Sequence, residues 1–222
     1  MDNKVRKAVI CCGGMATRFL PMSRGVPKEM LPIWDRPAIH YIVDELVAAG
    51  IGEVLFLIGH GRESLIRYFD GFTDVDIFYR TVPKPLGPAD NIMHARSWVG
   101  EDDFIVAYCD DVFSDGNPTM ELLTIDAPAI SVCSVPWADA HKYGVVVDGR
   151  IIEKPAEPKS NMVACGRYLL TPVVFDLIAD DKCMVSVLNK LSFKTFETKA
   201  KRFDIGGPRG LFEVNQFVSR SK

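Results

Sequence analysis

Short apolar runs alternate with one-faced helical segments along the chain, and this alternation leaves few architectures open. Val5–Cys12 is almost wholly apolar and stops at Gly13-Gly14, the profile of a central strand buried on both faces. In Ala38–Gly50, Ile39, Ile42, Val43, Leu46 and Val47 share one helical face, Gly50 stands at the C-terminal capping position, and Ile51 can pack back on the last turn. Val54–Ile58 reads as a second buried strand and Arg62–Phe69 as a short helix. Further strands are predicted at Asp76–Tyr79, Phe104–Cys109, Ala129–Val135, Gly144–Val147, Ile151–Glu153 and Met162–Leu170, and helices at Ala89–Val99, Pro172–Ala179, Met184–Leu191 and Arg209–Val218. Repetition of strand, helix and strand predicts an α/β three-layer sandwich with a mostly parallel sheet, and the closer spacing of the later strands adds an antiparallel portion. No repeat or linker interrupts the pattern, so a single domain over residues 1–222 is expected.

Composition removes several classes of function. The chain is 48% hydrophobic and 25% charged with a net charge of −3, unlike a dedicated nucleic-acid or membrane-surface binder, and no apolar run is long enough to cross a bilayer. The charge is uneven: residues 1–40 carry +4 and the rest −7, which hints at an anion site in the first module. The six cysteines (11, 12, 109, 133, 165 and 183) form neither a C-x-x-C pair nor a zinc-type Cys/His cluster; a reduced cytoplasmic protein without a secretion signal is expected.

In sheets of this kind ligands bind beyond the carboxyl ends of the strands, and four segments fall there. Gly13-Gly14-Met15-Ala16-Thr17-Arg18 is neither a Walker loop nor G-x-G-x-x-G; it offers backbone donors, a hydroxyl and a fixed cation to phosphates, or is a tight turn with a solvated Arg. Ten residues on, Pro27-Lys28-Glu29-Met30-Leu31-Pro32 holds Lys28 between two prolines, as a positioned charge or a surface lysine. Asp110-Asp111 closes an apolar run; adjacent carboxylates suit Mg²⁺ together with substrate phosphates, and equally a helix-capping turn. Glu153-Lys154-Pro155 and Phe203-Asp204-Ile205-Gly206-Gly207 supply groups for sugar hydroxyls, a phosphate and a metal, or ordinary surface ion pairs. No G-x-S-x-G elbow or H-E-x-x-H is present, and the four histidines are scattered.

Taken in order, K-A-V-I-C-C-G-G-M-A-T-R-F-L-P, P-K-E-M-L-P-I-W-D-R-P, Cys109-Asp110-Asp111, Tyr143-Gly144-Val145-Val146, Glu153-Lys154-Pro155, Gly166-Arg167-Tyr168 and Arg202-Phe203-Asp204-Ile205-Gly206 resemble the bacterial UTP–glucose-1-phosphate uridylyltransferases over nearly the whole chain. The resemblance implies a Rossmann-like three-layer sandwich with a mixed, mostly parallel central sheet, and a Mg²⁺-dependent reaction of UTP with glucose 1-phosphate that yields UDP-glucose and pyrophosphate. It assigns Arg18 and Lys28 to catalysis; Gly13, Gly14, Thr17, Gly87 and Asp110 to the nucleotide; Gly144, Glu153, Lys154 and Tyr168 to the sugar phosphate; and Asp110 with Asp204 to the metal. Partners would be a nucleoside triphosphate and a sugar 1-phosphate, with assembly as a homo-oligomer (dimer or tetramer), and no nucleic acid or membrane.

Departures from the family pattern bear on base choice and compactness. Ala16 stands where the family has Gly, Val82 where a base-reading Gln is usual, and Pro88-Ala89-Asp90-Asn91 differs from the common sequence nearby. Between Asp70 and Asp76 there is no room for the family's helical insertion. Alternatives are thymidylyl or other nucleotidyl transfer to a sugar 1-phosphate, a nucleotide-sugar glycosyltransferase that uses Asp110-Asp111, and a non-catalytic nucleotide-sugar sensor.

Overall fold

The computed structural model describes residues 5–14, 16–83 and 86–221. In chain order its elements are β1 (Lys7–Cys12), the small hairpin β2 (Pro32–Ile33) and β3 (Arg36–Pro37), α1 (Ala38–Ala48), β4 (Glu53–Ile58), α2 (Glu63–Tyr68), β5 (Asp76–Thr81), α3 (Pro88–Met93) and α4 (Arg96–Val99). There follow β6 (Phe104–Tyr108), β7 (Asp111–Ser114), α5 (Pro118–Leu122), β8 (Ala129–Ser134), β9 (Gly144–Val147), β10 (Arg150–Glu153) and β11 (Met162–Leu170). The last elements are α6 (Val173–Asp180), α7 (Met184–Lys190), β12 (Lys194–Glu197), β13 (Lys201–Asp204) and α8 (Pro208–Ser221).

The nine-stranded central sheet has the order β10-β9-β11-β6-β1-β4-β5, with β8 pairing β11 and β12. β1, β4, β5 and β6 are parallel, β8 and β12 are parallel to each other, and antiparallel pairing enters through β11 and β10. The mixed, mostly parallel α/β sandwich is as predicted. Alternation along β1 supplies both cores. Ala8, Ile10 and Cys12 face a cluster with α1, α2, α5 and α8 residues, whereas Val9 and Cys11 face one built from α3, α4, α6 and α7.

α1 ends as its sequence predicts: Ile51 N donates to Leu46 O at 3.1 Å and Gly50 N to Val47 O at 2.9 Å, with Gly50 at φ 85°. This is a Schellman closure, and it delivers the chain into β4. The predicted helix over 89–99 is instead two short helices. At the break His94 N and Ala95 N bond to Asn91 O and Ile92 O, three residues back, which tightens the chain out of α geometry.

Chain order β1, β4, β5 moves outward on one side of β1, and β6 returns on the other, so the β1/β6 crevice is the switch point of the sheet. A two-stranded ribbon that sequence patterning misses, β7 with β13, stands beside it and pairs Asp204 with Asp111 in register.

Candidate active site

Three cavities hold residues that the sequence assigns to the site. The first, about 280 Å³, is lined by Gly13, Gly14, Ala16, His60 and Arg62. Arg62 braces the loop, donating from Nη2 to Gly14 O at 2.9 Å and from Nε to Cys12 O at 3.3 Å. A Cβ at Gly13 would lie 3.2 Å from Asn91 Nδ2, tight enough to make glycine the fitting residue. Ala16 is left-handed at φ 50°, ψ 38°, the conformation for which glycine is suited. Met15 lies outside the described residues.

Thr17–Phe19 then forms a single 3₁₀ turn that carries Arg18 away from the glycine pair. Arg18 lines a second cavity of about 690 Å³, together with Asp204, Lys142, Lys201, Arg202 and Arg209, where cations predominate. Glycine at 206 lets the Arg18 guanidinium close in: a Cβ there would lie 2.7 Å from Arg18 Nη2 and 3.0 Å from Asp204 Oδ1. Thr17 is exposed at the rim.

Lys28 and Asp110, far apart in sequence, are joined. Pro27 is buried and sets the 3₁₀ turn Lys28–Met30, and Lys28 Nζ donates to Asp110 Oδ1. The Lys28 side chain is 10% exposed and that of Asp110 37%, so Asp110 is the more accessible of the pair. Lys28 Nζ also lies 3.6 Å from where a Cβ on Gly14 would be. Ile205 N donates to Asp110 O at 2.7 Å, which sets the chain after Asp204 against the turn that carries Asp110. Asp204 Oδ1 accepts from Gly206 N at 2.9 Å. The two carboxylates thus stand on neighbouring backbones, and carboxylate oxygens are the donors that Mg²⁺ prefers.

Asp111 does not belong with Asp110. It is 5% exposed, starts β7, and accepts from Arg202 Nε at 2.6 Å. Asp110 lies in the turn between β6 and β7 and faces Lys28, whereas Asp111 begins β7 and faces Arg202, so the adjacent carboxylates diverge and a metal–diphosphate reading of Asp110-Asp111 is removed.

The third cavity, about 380 Å³, is lined by Gly144, Glu153 and Tyr168, expected at the sugar phosphate, and also by Gly87, which the sequence assigned to the nucleotide. A Cβ at Gly144 would stand 3.3 Å from Glu153 Oε2, so only glycine leaves that carboxylate open to a ligand. The Tyr108 ring packs edge-on against Tyr168 at 5.3 Å, and the Tyr108 hydroxyl is buried without a hydrogen-bond partner. Burial pushes both tyrosine hydroxyls up, so they remain protonated donors at neutral pH. Lys154 is not on the wall of this cavity: at φ 44° its side chain turns outward, 63% exposed, and pairs with Glu153 Oε1 at 3.0 Å. Val82 is buried in the second core and also borders the first cavity.

A sequence profile of the family described as nucleotidyl transferase matches residues 7–221. The chain belongs to the nucleotidyl transferase family. Among its relatives, UTP–glucose-1-phosphate uridylyltransferase 2 of Streptococcus pyogenes serotype M3 is 31% identical over an alignment covering 96% of this chain and 89% of that protein. That alignment runs to 268 positions, more than the 222 residues of this chain, so the relative carries segments absent here. A solved structure described as UDP-glucose pyrophosphorylase from Acinetobacter baumannii is 26% identical, with a TM-score of 0.88 over 98% of this chain and 100% of that one. One described as UTP-bound UGPase from the same organism is also 26% identical, with a TM-score of 0.84 over 98% and 94%.

Within this nucleotidyl transferase several residues that support the site have no role assigned from sequence, although Gly166-Arg167-Tyr168 is among the motifs. Arg167 is fully buried and donates to Tyr108 O at 3.2 Å and Asp111 O at 3.0 Å, clamping both sides of Cys109-Asp110. Gly166, at φ 70° in an irregular stretch of β11, admits Asp111: a Cβ there would meet Asp111 Oδ2 at 2.5 Å. Arg62, Asn91, whose buried Oδ1 has no partner, and Tyr108 likewise have no assigned role. Their signal in sequence is weak, a polar residue inside an otherwise apolar segment, and only the fold tells which of those segments meet.

Proposed function

We propose that this nucleotidyl transferase joins UTP and glucose 1-phosphate to give UDP-glucose and pyrophosphate. The observation that carries this reading is the convergence of the Gly13-Gly14 loop, the Lys28–Asp110 pair and Asp204 on one switch-point crevice, with Glu153 and Tyr168 in the adjoining cavity. The UTP-bound A. baumannii structure and the S. pyogenes relative support the choice of nucleotide and sugar.

In this reaction a phosphate oxygen of glucose 1-phosphate attacks the α-phosphorus of UTP, the bond to the bridging α–β oxygen breaks, and pyrophosphate leaves with that electron pair. Both substrates are polyanions, so the protein's work is to offset repulsion and align the reacting groups, with no covalent intermediate required. Backbone donors at Gly13 and Gly14 and the Thr17 hydroxyl take the triphosphate; Lys28 neutralises charge at the α-phosphate; Arg18 turns back from the second cavity to the leaving phosphates. Gly87 lets the nucleotide approach the start of α3. Gly144, Glu153 and Tyr168 hold the sugar, and Lys154, freed from Glu153, takes its phosphate. Asp110 and Asp204 would hold a Mg²⁺ ion, whose charge counters that of the triphosphate. Asp110 must then exchange its ammonium partner for the metal, leaving Lys28 free for substrate. A reducing, cytoplasmic setting agrees with six cysteines that are all unbridged. No helix among the described residues is long and apolar enough to cross a membrane. We place the single domain in a homo-oligomer, which sizing with light scattering would test.

Pyrophosphate release with Mg²⁺ and glucose 1-phosphate, compared across UTP, dTTP, CTP, ATP and GTP, tests the reading. Release with UTP above the others is expected. Preference for another base would keep the reaction and change the substrate, whereas no release with any would overturn it.

A further inference from the structure

Beneath the glycine loop lies a second group of donors that the transfer reaction does not use. Cys12 ends β1, Cys109 follows β6, and Glu29 sits in the turn after Pro27. Their two sulfurs and a Glu29 carboxylate oxygen all lie within 4.8 Å of one another. The three residues are 0%, 4% and 1% exposed, respectively. Cys109 Sγ donates to Glu29 Oε1 at 3.6 Å, but Glu29 Oε2 is buried with no hydrogen bond at all. The nearest cation, Arg62 Nε, is 3.5 Å from that oxygen and directs its hydrogen bonds to the carbonyls of Cys12 and Gly14. A buried carboxylate oxygen without a donor is unfavourable by itself, and its position beside two thiols suits a cation.

We propose that Cys12, Cys109 and Glu29 form a binding site for a zinc-type divalent cation, distinct in its ligands from the Asp110 and Asp204 pair although Cys109 Sγ also lies 3.5 Å from Asp110 Oδ1. Geometry agrees. Tetrahedral zinc, with bonds of about 2.3 Å to sulfur and about 2.0 Å to oxygen, holds its sulfur and oxygen ligands roughly 3.5 Å apart. The observed Cys109–Glu29 separation of 3.6 Å therefore needs little rearrangement. Charge agrees as well: two thiolates, one carboxylate, the Arg62 guanidinium and a divalent ion sum to zero, the condition under which a buried charged cluster is tolerated. Binding releases two thiol protons to solvent. Thiolate donors select zinc, cobalt or cadmium over magnesium, so the two cation sites would not compete for one ion. Arg62 lies between this cluster and the cavity lined by the glycine loop. A bound ion would tie the ends of β1 and β6 together immediately before Gly13 and Asp110.

Metal-free protein titrated with Co²⁺ tests the site. A 1:1 complex with a thiolate-to-cobalt charge-transfer band is expected, with affinity falling at least tenfold in Cys12→Ser and in Cys109→Ser. Cys133→Ser and Asp204→Asn should leave the band in place. X-ray absorption of the wild-type zinc complex should count two sulfur ligands, a result that does not depend on whether the serine variants fold. Absence of the band, a count of fewer than two sulfurs, or loss of the band in Cys133→Ser would overturn the proposal. None of these readings depends on turnover, so they stand apart from the nucleotidyl-transfer assay.

Discussion

Arg167 Nε donates to Glu45 Oε1 at 2.9 Å and its Nη2 to Oε2 at 2.8 Å, a two-pronged ion pair between β11 and α1 with the guanidinium wholly buried. The same guanidinium reaches the carbonyls of Tyr108 and Asp111, so the pair fixes the turn that presents Asp110. Thr119 Oγ1 donates to Glu45 Oε1 at 2.6 Å and completes the carboxylate's shell. Removing one partner strands a buried charge, which destabilises by about 3–5 kcal/mol. Glu45→Gln should therefore lower the urea midpoint sharply, and the double variant Glu45→Leu/Arg167→Met should recover much of it. A single variant as stable as wild type would show that the pair contributes little.

Asp110 and Asp111 should separate under mutation. Asp110→Asn keeps the fold, because the side chain is 37% exposed, and lowers Mg²⁺-dependent pyrophosphate release by more than about 100-fold, as loss of a charge aimed at the reacting phosphates does. Asp111→Asn leaves the Arg202 guanidinium, 10% exposed, without its counter-charge and should appear as a loss of stability of about 3–5 kcal/mol. Activity paired with circular dichroism melts distinguishes the two outcomes.

Val82→Gln should not install base reading. The position is 0% exposed, and an amide introduced there without partners costs about 1–3 kcal/mol. A lower melting midpoint with an unchanged ratio of UTP to dTTP turnover is expected. A shifted ratio in a fully stable variant would place the base at this position.

Ala16→Gly should stabilise the protein. The left-handed backbone at φ 50° penalises a Cβ by roughly 1–2 kcal/mol, and glycine's extra freedom in the unfolded chain takes back about 0.4–1 kcal/mol. A net gain of about 0.5–1 kcal/mol in chemical denaturation is the expected result.

Asp181, the C-cap residue of α6, bridges to α7, with Oδ2 accepting from Ser186 Oγ and Lys190 Nζ and Oδ1 from Cys183 N. The Ser186 hydroxyl first, then the Cys183 amide and the Lys190 ammonium, hold its carboxyl down at about 2 from an ordinary 3.8. A depressed carboxyl stabilises the folded state above its ordinary value and loses that contribution as pH falls toward the depressed one. The difference in melting midpoint between wild type and Asp181→Ala should therefore be constant at neutral pH and shrink from about pH 3.8 to about pH 2. A difference that does not narrow over that interval would remove Asp181 as the acid-sensitive bridge.

Periodicity located the long buried strands and α1 because their burial is continuous and local: β11 spans Met162–Leu170 as predicted, and Gly50 closes α1 where the sequence put it. Segments of four or five residues, β7, β12, β13 and α5, were missed, since so short a run carries too little pattern to stand out from loop. At the site, the order of motifs along the chain marks Gly13, Lys28, Asp110, Glu153 and Asp204. The sequence by itself thus determined the alternating α/β plan and the kinds of charged group the chain brings to its crevice, because those follow from local spacing and composition. Only the tertiary structure decided that Asp110 faces Lys28 while Asp111 is buried on Arg202, that Arg18 rests beside Asp204, and that Cys12, Cys109 and Glu29 share one buried corner. Those relationships depend on which strand edges pair and which way each side chain alternates, and sheet pairing joins residues whose separation along the chain leaves no local trace.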